Sequence, residues 1–387
     1  MRIRCLLVAL SLLYGLESLA CTSVIVSAGA SATGRPLLMK QRDNKGSNGV
    51  VYLQGEKYGF VGLTSIRKGT VKYVVGGVNE AGFAVVSLTN KTLVREKENL
   101  KKSRSSAFLT RAMGECRTVD EFEELVKTVG REMIVFGNFG VIDASGGAAY
   151  FELGDCEYHR DDVPEGGWSV RTNYSLCAPA EKPHKSKRRL DSAMAIMESH
   201  DGKFTAEFLV GAFSRSTFNS VLGYDMADGA PGDGYVPYNR DCILNSSTLA
   251  NICIEGVGKT DRDDSAVMWT TCGWPGAAYS IPVWVAAGDS LPECIRNSSG
   301  TCRAFEHARV LRDALNYEGD VNYLNVGLFR RIRKAAESFE AAEFAEGRAL
   351  DDRMRARFRL KDVEEYYSRA DVRFDAFRRE TEIFLKY

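Results

Sequence analysis

Between Thr22 and Leu88 the chain breaks into short β-branched runs closed by glycine, asparagine and lysine, and this spacing narrows the fold more than any other feature. Thr22 to Ser27 is one run, Gly29 to Gly34 reads as a turn, and Pro36 to Lys40 is a second run. Val50 to Gln54, Gly59 to Ser65, Tyr73 to Val78 and Phe83 to Leu88 follow. Runs of this kind bounded by turn-formers are strand signals. This spacing fits a stacked antiparallel sheet.

The pattern then changes period. Ser105 to Val129 carries Phe108, Leu109, Ala112 and Met113, then Phe122, Leu125 and Val126, at helical spacing. Thr118-x-x-Glu121 reads as a capping box that starts the second of two helices. Strands are expected again at Phe139 to Ile142, Ala148 to Leu153, Trp168 to Thr172, Ser265 to Thr271 and Ile281 to Ala286, with a helix over Arg188 to Glu198. From Leu328 to Tyr387 the chain is dense in Arg, Glu, Ala and Phe and nearly free of Gly and Pro. It reads as two or three amphipathic helices packed on the sheet, since the apolar spacing is not a sustained heptad. The domain reading is a leader over 1–20, a catalytic domain over 21–325 and charged C-terminal helices over 326–387.

The first twenty residues read as a secretory signal. Arg2 and Arg4 precede an apolar stretch from Leu6 to Leu16, and Ser18-Leu19-Ala20 is a small-x-small cleavage site. The stretch is about half the roughly 20 residues that span a bilayer, and no later run is apolar enough to span. Cleavage after Ala20 predicts a secreted or periplasmic protein that begins at Cys21. Losing Arg2, Arg4 and Glu17 from 51 basic and 51 acidic residues leaves a formal charge of about −1. That argues against nucleic acid as a partner, which calls for a basic face. Of ten cysteines, Cys5 leaves with the signal and Cys21 becomes the terminus. The other eight suggest disulfides in an exported chain, with Cys294 and Cys302 as the best local pair. Self-association is left open.

Several chemistries lack their residues. There is no HExxH, and the four histidines, His159, His184, His200 and His307, have no ligand spacing, so no metal is expected. There is no GxSxG elbow. Gly256-Val-Gly-Lys-Thr260 resembles the end of a phosphate-binding loop, but Cys253 stands where the motif needs glycine. No cofactor is expected. A cysteine at a free amino terminus, by contrast, carries nucleophile and base on one residue. An α-amine titrates at about 7.7–8.0, well placed to take a proton at neutral pH. A thiol attacks as its thiolate, which a nearby cation favours. The second strand of the first hairpin offers Lys40 and Asp43, and Asp43 falls back near Cys21 if Cys21 to Ser27 pairs with Pro36 to Asp43.

Cys21-Thr-Ser-Val-Ile-Val with Gly34-Arg-Pro-Leu-Leu-Met-Lys-Gln-Arg-Asp43 resembles the start of the linear amide hydrolases of the N-terminal-nucleophile superfamily. That group includes choloylglycine hydrolases, penicillin V acylases and isopenicillin-N acyltransferase-like enzymes. Gly77-Val-Asn-Glu-Ala-Gly-Phe83, Val170-Arg-Thr-Asn173, Arg188-Arg-Leu190 and Thr271-Cys-Gly-Trp-Pro275 are similar to family segments in the same order. The resemblance covers roughly half the chain. It implies an α+β fold, a four-layer αββα sandwich, here with a helical C-terminal extension.

The same resemblance implies roles. Cys21 would be the nucleophile, with its own amine as base and Asp43 holding that amine. Lys40 would stand near the thiol, with Arg42 the competing candidate. Asn173 would donate to the oxyanion or hold the amine. A second oxyanion donor is expected at Thr89 or Asn90. Arg189 would orient the site, with Arg188 one residue away. The implied activity is hydrolysis of a small linear amide through a Cys21 thioester, or acyl transfer through it, with a dipeptidase on the same scaffold as an alternative. A different class is a non-catalytic lipoprotein: Leu19-Ala20-Cys21 resembles the end of a lipobox, although Ser18 stands where leucine is preferred.

Overall fold

The computed structural model describes residues 20–67, 70–178, 185–298 and 300–386. The leader expected over 1–20 lies, but for Ala20, outside the described residues. Ten strands come first: β1 (Thr22–Val26), β2 (Leu37–Asp43), β3 (Val50–Gln54), β4 (Gly59–Arg67), β5 (Thr70–Asn79), β6 (Ala84–Leu88), β7 (Gly137–Ile142), β8 (Ala148–Leu153), β9 (Tyr158–Asp162) and β10 (Trp168–Arg171). Three more, β11 (Thr248–Glu255), β12 (Val267–Cys272) and β13 (Ile281–Trp284), complete the main sheets. The principal helices are α1 (Ser105–Glu115), α2 (Val119–Leu125), α3 (Lys185–Glu198), α4 (Arg303–Ala314), α5 (Val326–Ala356) and α6 (Leu360–Ile383).

The strands form two antiparallel sheets. One runs β10-β1-β2-β11-β12-β13, and the other is a meander of β3 through β9. Their inner faces meet through β1 and β2 over β6 and β7. The period of two sorts the side chains. On β6, Ala84 and Val86 join Val24, Leu38 and Ile252 between the sheets, while Val85 faces outward. Outside the meander, Val85, Phe139 and Phe151 pack under Phe108, Met113 and Phe122 of α1 and α2. α3, α4, α5 and α6 cover the other sheet, where Trp269 of β12 stacks on Phe344 of α5 at 3.9 Å between ring centroids. The layers are helix, sheet, sheet, helix, with a helical C-terminal part.

Local signals explain the boundaries. Thr118 caps α2 by accepting from the Glu121 N–H at 3.1 Å, and the Glu121 carboxylate reaches back to the Arg117 N–H at 2.7 Å, one residue earlier than a standard capping box. Asn79 and Gly82 make the β5–β6 turn. The Asn79 Oδ1 accepts from the Ala81 and Phe83 N–H groups, and Gly82 takes φ +75°, a conformation that suits glycine. Two helices fill the C-terminal region, and they dock through buried charge. Arg215 pairs with Glu340, Arg35 with Asp351 and Arg373 with Glu343.

Two expectations need correction. β11 was not anticipated, although it is central and wholly buried. A strand covered on both faces need not alternate in polarity. The nine described cysteines are free thiols, so Cys294 and Cys302 are not joined. Both are buried, and Cys302 interacts with Cys272 of β12. The turn-rich loop between them folds on itself through the Ser298–Thr301 bridge without bringing their sulfurs together.

Candidate active site

Cys21 stands just before β1, a strand flanked by edge strand β10 and by β2. It is buried, and it lines a cavity of about 250 Å³ together with Lys40, Arg42, Asp43, Ser87 and Thr89. In the uncut chain the Cys21 nitrogen is the peptide nitrogen joined to Ala20. After a cut at that bond the same atom is the α-amine, so its contacts stand for those of the amine.

The Cys21 N–H donates to Asn173 Oδ1 at 2.5 Å. That oxygen also accepts from Arg189 Nη2 at 2.9 Å, while Asn173 Nδ2 donates to the Thr89 carbonyl at 2.6 Å. Arg189, from α3, spreads its guanidinium over the start of β1. It donates to Thr22 Oγ1 at 3.2 Å, the Cys21 carbonyl at 3.3 Å and the Arg240 carbonyl at 2.9 Å. Burial pulls its pKa down, with Asp43 and the Cys21 thiol opposing. Arg188 points elsewhere and pairs with Asp241 at 2.8 Å. Adjacent residues on a helix are about 100° apart, so only one of the two can face β1.

Lys40 lies on β2 opposite Ser23. Its ammonium donates to the Val75 carbonyl at 2.9 Å and to the Ser87 carbonyl. Both acceptors belong to the facing sheet. Burial lowers its pKa to about 8, against the pull of the Cys21 thiol. Arg42 lines the same cavity and donates to Ser65 Oγ at 2.7 Å. Lys40 and Arg42 are two apart on a strand and share a face, so they are joint wall residues and not rivals for one place.

Asp43 approaches Cys21 through its main chain. The Cys21 thiol donates to the Asp43 carbonyl oxygen at 3.8 Å. The carboxylate accepts from Asn245 Nδ2 at 2.8 Å and Thr248 Oγ1 at 2.7 Å. Burial pushes its pKa up to about 6, opposed by Arg189 and by those two hydrogen bonds. Asn245 and Thr248 were not foreseen. Trp274 in the Thr271 to Pro275 segment does point to them, since its Nε1 donates to the Asn245 carbonyl at 3.0 Å.

Of the expected oxyanion donors, Thr89 lines the cavity, whereas Asn90 turns into the protein. Asn90 Nδ2 donates to Asn138 Oδ1 at 2.8 Å. Asn138, fully buried on β7, donates in turn to the carbonyls of Thr172 at 2.8 Å and Tyr174 at 3.1 Å, the two neighbours of Asn173. Opposite it on β8 is Glu152, which accepts from the Leu176 N–H at 3.0 Å, Ser175 Oγ at 2.5 Å and Arg171 Nε at 3.1 Å. Neither residue was legible as part of the site. They grip the segment that carries Asn173 from the facing sheet.

Among the described residues, no cluster of His, Cys, Asp and Glu is placed to hold a metal ion, and no helix is long and apolar enough to cross a membrane.

No protein-family model matches the sequence, and no curated protein matches it. Solved structures do. A variant of the conjugated bile acid hydrolase from Clostridium perfringens is similar at 12% identity and a TM-score of 0.43, over 69% of this chain and 93% of that one. The Caenorhabditis elegans ortholog of N-acylethanolamine-hydrolyzing acid amidase matches at 12% identity and 0.39, over 61% and 92%. Penicillin V acylase from Agrobacterium tumefaciens matches at 14% identity and 0.38, over 69% and 86%. At these values the fold rests on the chain's own layers. Two facing antiparallel sheets between helices make a four-layer αββα sandwich, with a cysteine heading the strand next to one sheet's edge.

Proposed function

We propose that the chain is a cysteine amidohydrolase of linear C–N bonds, active once the Ala20–Cys21 bond is cut and the leader lost on export. The observation that carries this reading is the relay Cys21 N to Asn173 Oδ1 to Arg189 beside a thiol that opens on a cavity. It fixes the direction of the future amine, as a base must be fixed to serve a nucleophile next to it.

The thiol proton passes to the α-amine as Sγ bonds to the substrate carbonyl carbon. The tetrahedral intermediate collapses when the ammonium protonates the leaving nitrogen and the C–N bond breaks. A thioester on Cys21 remains. Water, deprotonated by the same amine, adds to the thioester carbonyl, and the acid leaves as the thiol recovers its proton. An amine in place of water would make the reaction acyl transfer. Lys40 has three N–H groups and uses two on carbonyls. The third serves the thiolate or the oxyanion, where one donor lowers the barrier by about 2.7–4 kcal/mol. Asn173, whose Nδ2 is engaged by Thr89, is assigned to the amine. Asp43 acts as a buried carboxylate that balances Arg189 and Lys40.

The lipoprotein reading fits poorly with a buried thiol on a cavity of about 250 Å³, too small for a diacylglycerol. The test is intact mass and N-terminal sequence of the exported protein, followed by assay of Cys21→Ala and Cys21→Ser against acyl-amino-acid and small-peptide libraries. Turnover that needs a free Cys21 terminus supports the reading. A lipidated Cys21, or turnover that survives Cys21→Ala, overturns it.

A further inference from the structure

A second cavity, of about 280 Å³, shares no lining residue with the one at Cys21. Its apolar walls are Tyr158 and the buried Val126, Val135 and Leu153, on the outer side of the meander. Two departures from regular backbone frame it. After Leu125 the helix α2 widens into a π-turn over Val126–Gly130, a form that recurs at functional sites. Ile134 then takes φ +51°, an outlier for a β-branched side chain that persists only where its surroundings hold it. The Ile134 N–H donates to the Arg131 carbonyl at 3.2 Å and the Val135 N–H to the Gly130 carbonyl at 3.0 Å. The chain is thereby folded back on the π-turn, with Val135 in the cavity wall. Apolar atoms around a void forgo contacts that an occupant would restore, and this void exceeds the roughly 150 Å³ that admits a benzene ring.

The charged groups around it are unequally engaged. Lys127 pairs with Glu124 at 2.7 Å, and Glu157 with Arg95 at 2.8 Å. Arg131 lines the same cavity, is exposed, and makes no ion pair or side-chain hydrogen bond with the described residues. We infer that this cavity is a second binding site, for an amphipathic carboxylate. Its ring or short chain lies against Val126, Val135 and Leu153, and its carboxylate meets Arg131, whose guanidinium takes such a group through two parallel hydrogen bonds. Nothing here requires Cys21 to react, so the inference goes beyond the amidase reading and is tested apart from it.

The experiment is calorimetry on the full chain with octanoate and with octanamide, its neutral counterpart. The expected result is binding of octanoate at least about tenfold tighter than that of octanamide, the loss of one charge-assisted contact. Amide hydrogen exchange should slow over residues 126–136 when octanoate is present. Arg131→Glu, a change at an exposed side chain, should remove the preference for the acid, and Cys21→Ala should leave it in place. Failure of octanoate to bind, equal binding of the two compounds, or a preference that survives Arg131→Glu overturns the inference. The last of these, with the preference lost in Cys21→Ala, would put the octanoate in the Cys21 cavity instead.

Discussion

Asn138→Ala removes a side chain that never reaches the cavity, yet it should disable the site. Its amide makes three hydrogen bonds, two of them fully buried: one accepted from Asn90 and two donated to the carbonyls on either side of Asn173. At about 1 kcal/mol net each, their loss destabilises the fold by about 3 kcal/mol. The greater effect is on position. With Thr172 and Tyr174 released, Asn173 Oδ1 no longer holds its place at the Cys21 nitrogen, and a misplacement on the order of 1 Å costs about 10²-fold in rate. The assay is a double-mutant cycle on kcat/KM. Asn138→Ala should lower activity about 100-fold in the wild-type background and less than about threefold in Asn173→Ala, because residues acting through one another are not additive. An equal loss in both backgrounds refutes the reasoning, since Asn138 would then act by a route that bypasses Asn173. A denaturant titration of each variant separates loss of rate from loss of folded protein.

Other outcomes follow from the same geometry. With Asp43 raised to about 6 and Lys40 lowered to about 8, activity should fall below pH 6 as the carboxylate gains a proton and above pH 8 as the ammonium loses one. Lys40→Arg should remove the alkaline limb, and an unchanged limb would take Lys40 out of the assignment. Arg189→Ala should cost at least about 10²-fold in kcat/KM, by releasing Asn173 and the start of β1. Arg188→Ala should change activity less than threefold, its ion pair being partly exposed and worth about 0–1 kcal/mol; equal losses in a side-by-side assay would contradict the placement of α3. Glu340→Ala should destabilise the protein by about 3–5 kcal/mol in a denaturant titration, because Arg215 loses its buried counter-charge.

The meander was legible because its strands are short runs bounded by turns. The run Val50–Gln54 and the hairpin strand Ala148–Leu153 match the observed limits. The strand Thr248–Glu255 was not, since burial on both faces removes the alternation that marks a strand. Cys21, Lys40, Asp43, Asn173 and Arg189 converge because each belongs to a local motif next to a strand end or helix start. Asn138, Glu152, Asn245 and Thr248 escaped notice for the opposite reason. Each acts through a contact more than twenty residues away in sequence, and a lone polar residue in an apolar run carries no sign of its partner. Asn90 misled because a strand-end asparagine looks the same whether it faces a cavity or a neighbouring amide.

The buried pair of Arg35 with Asp351 spans 316 residues of sequence. At roughly 5–20 residues per second, a ribosome takes about 15–60 s to travel from the one to the other. During that interval Arg35, which also donates to the carbonyls of Gly256 and Ser265, has Asp261 at 4.0 Å as its ion-pair partner. The shorter of its two ion pairs, at 2.6 Å, closes only when α5 emerges, so the helical layer completes the burial of Arg35 last.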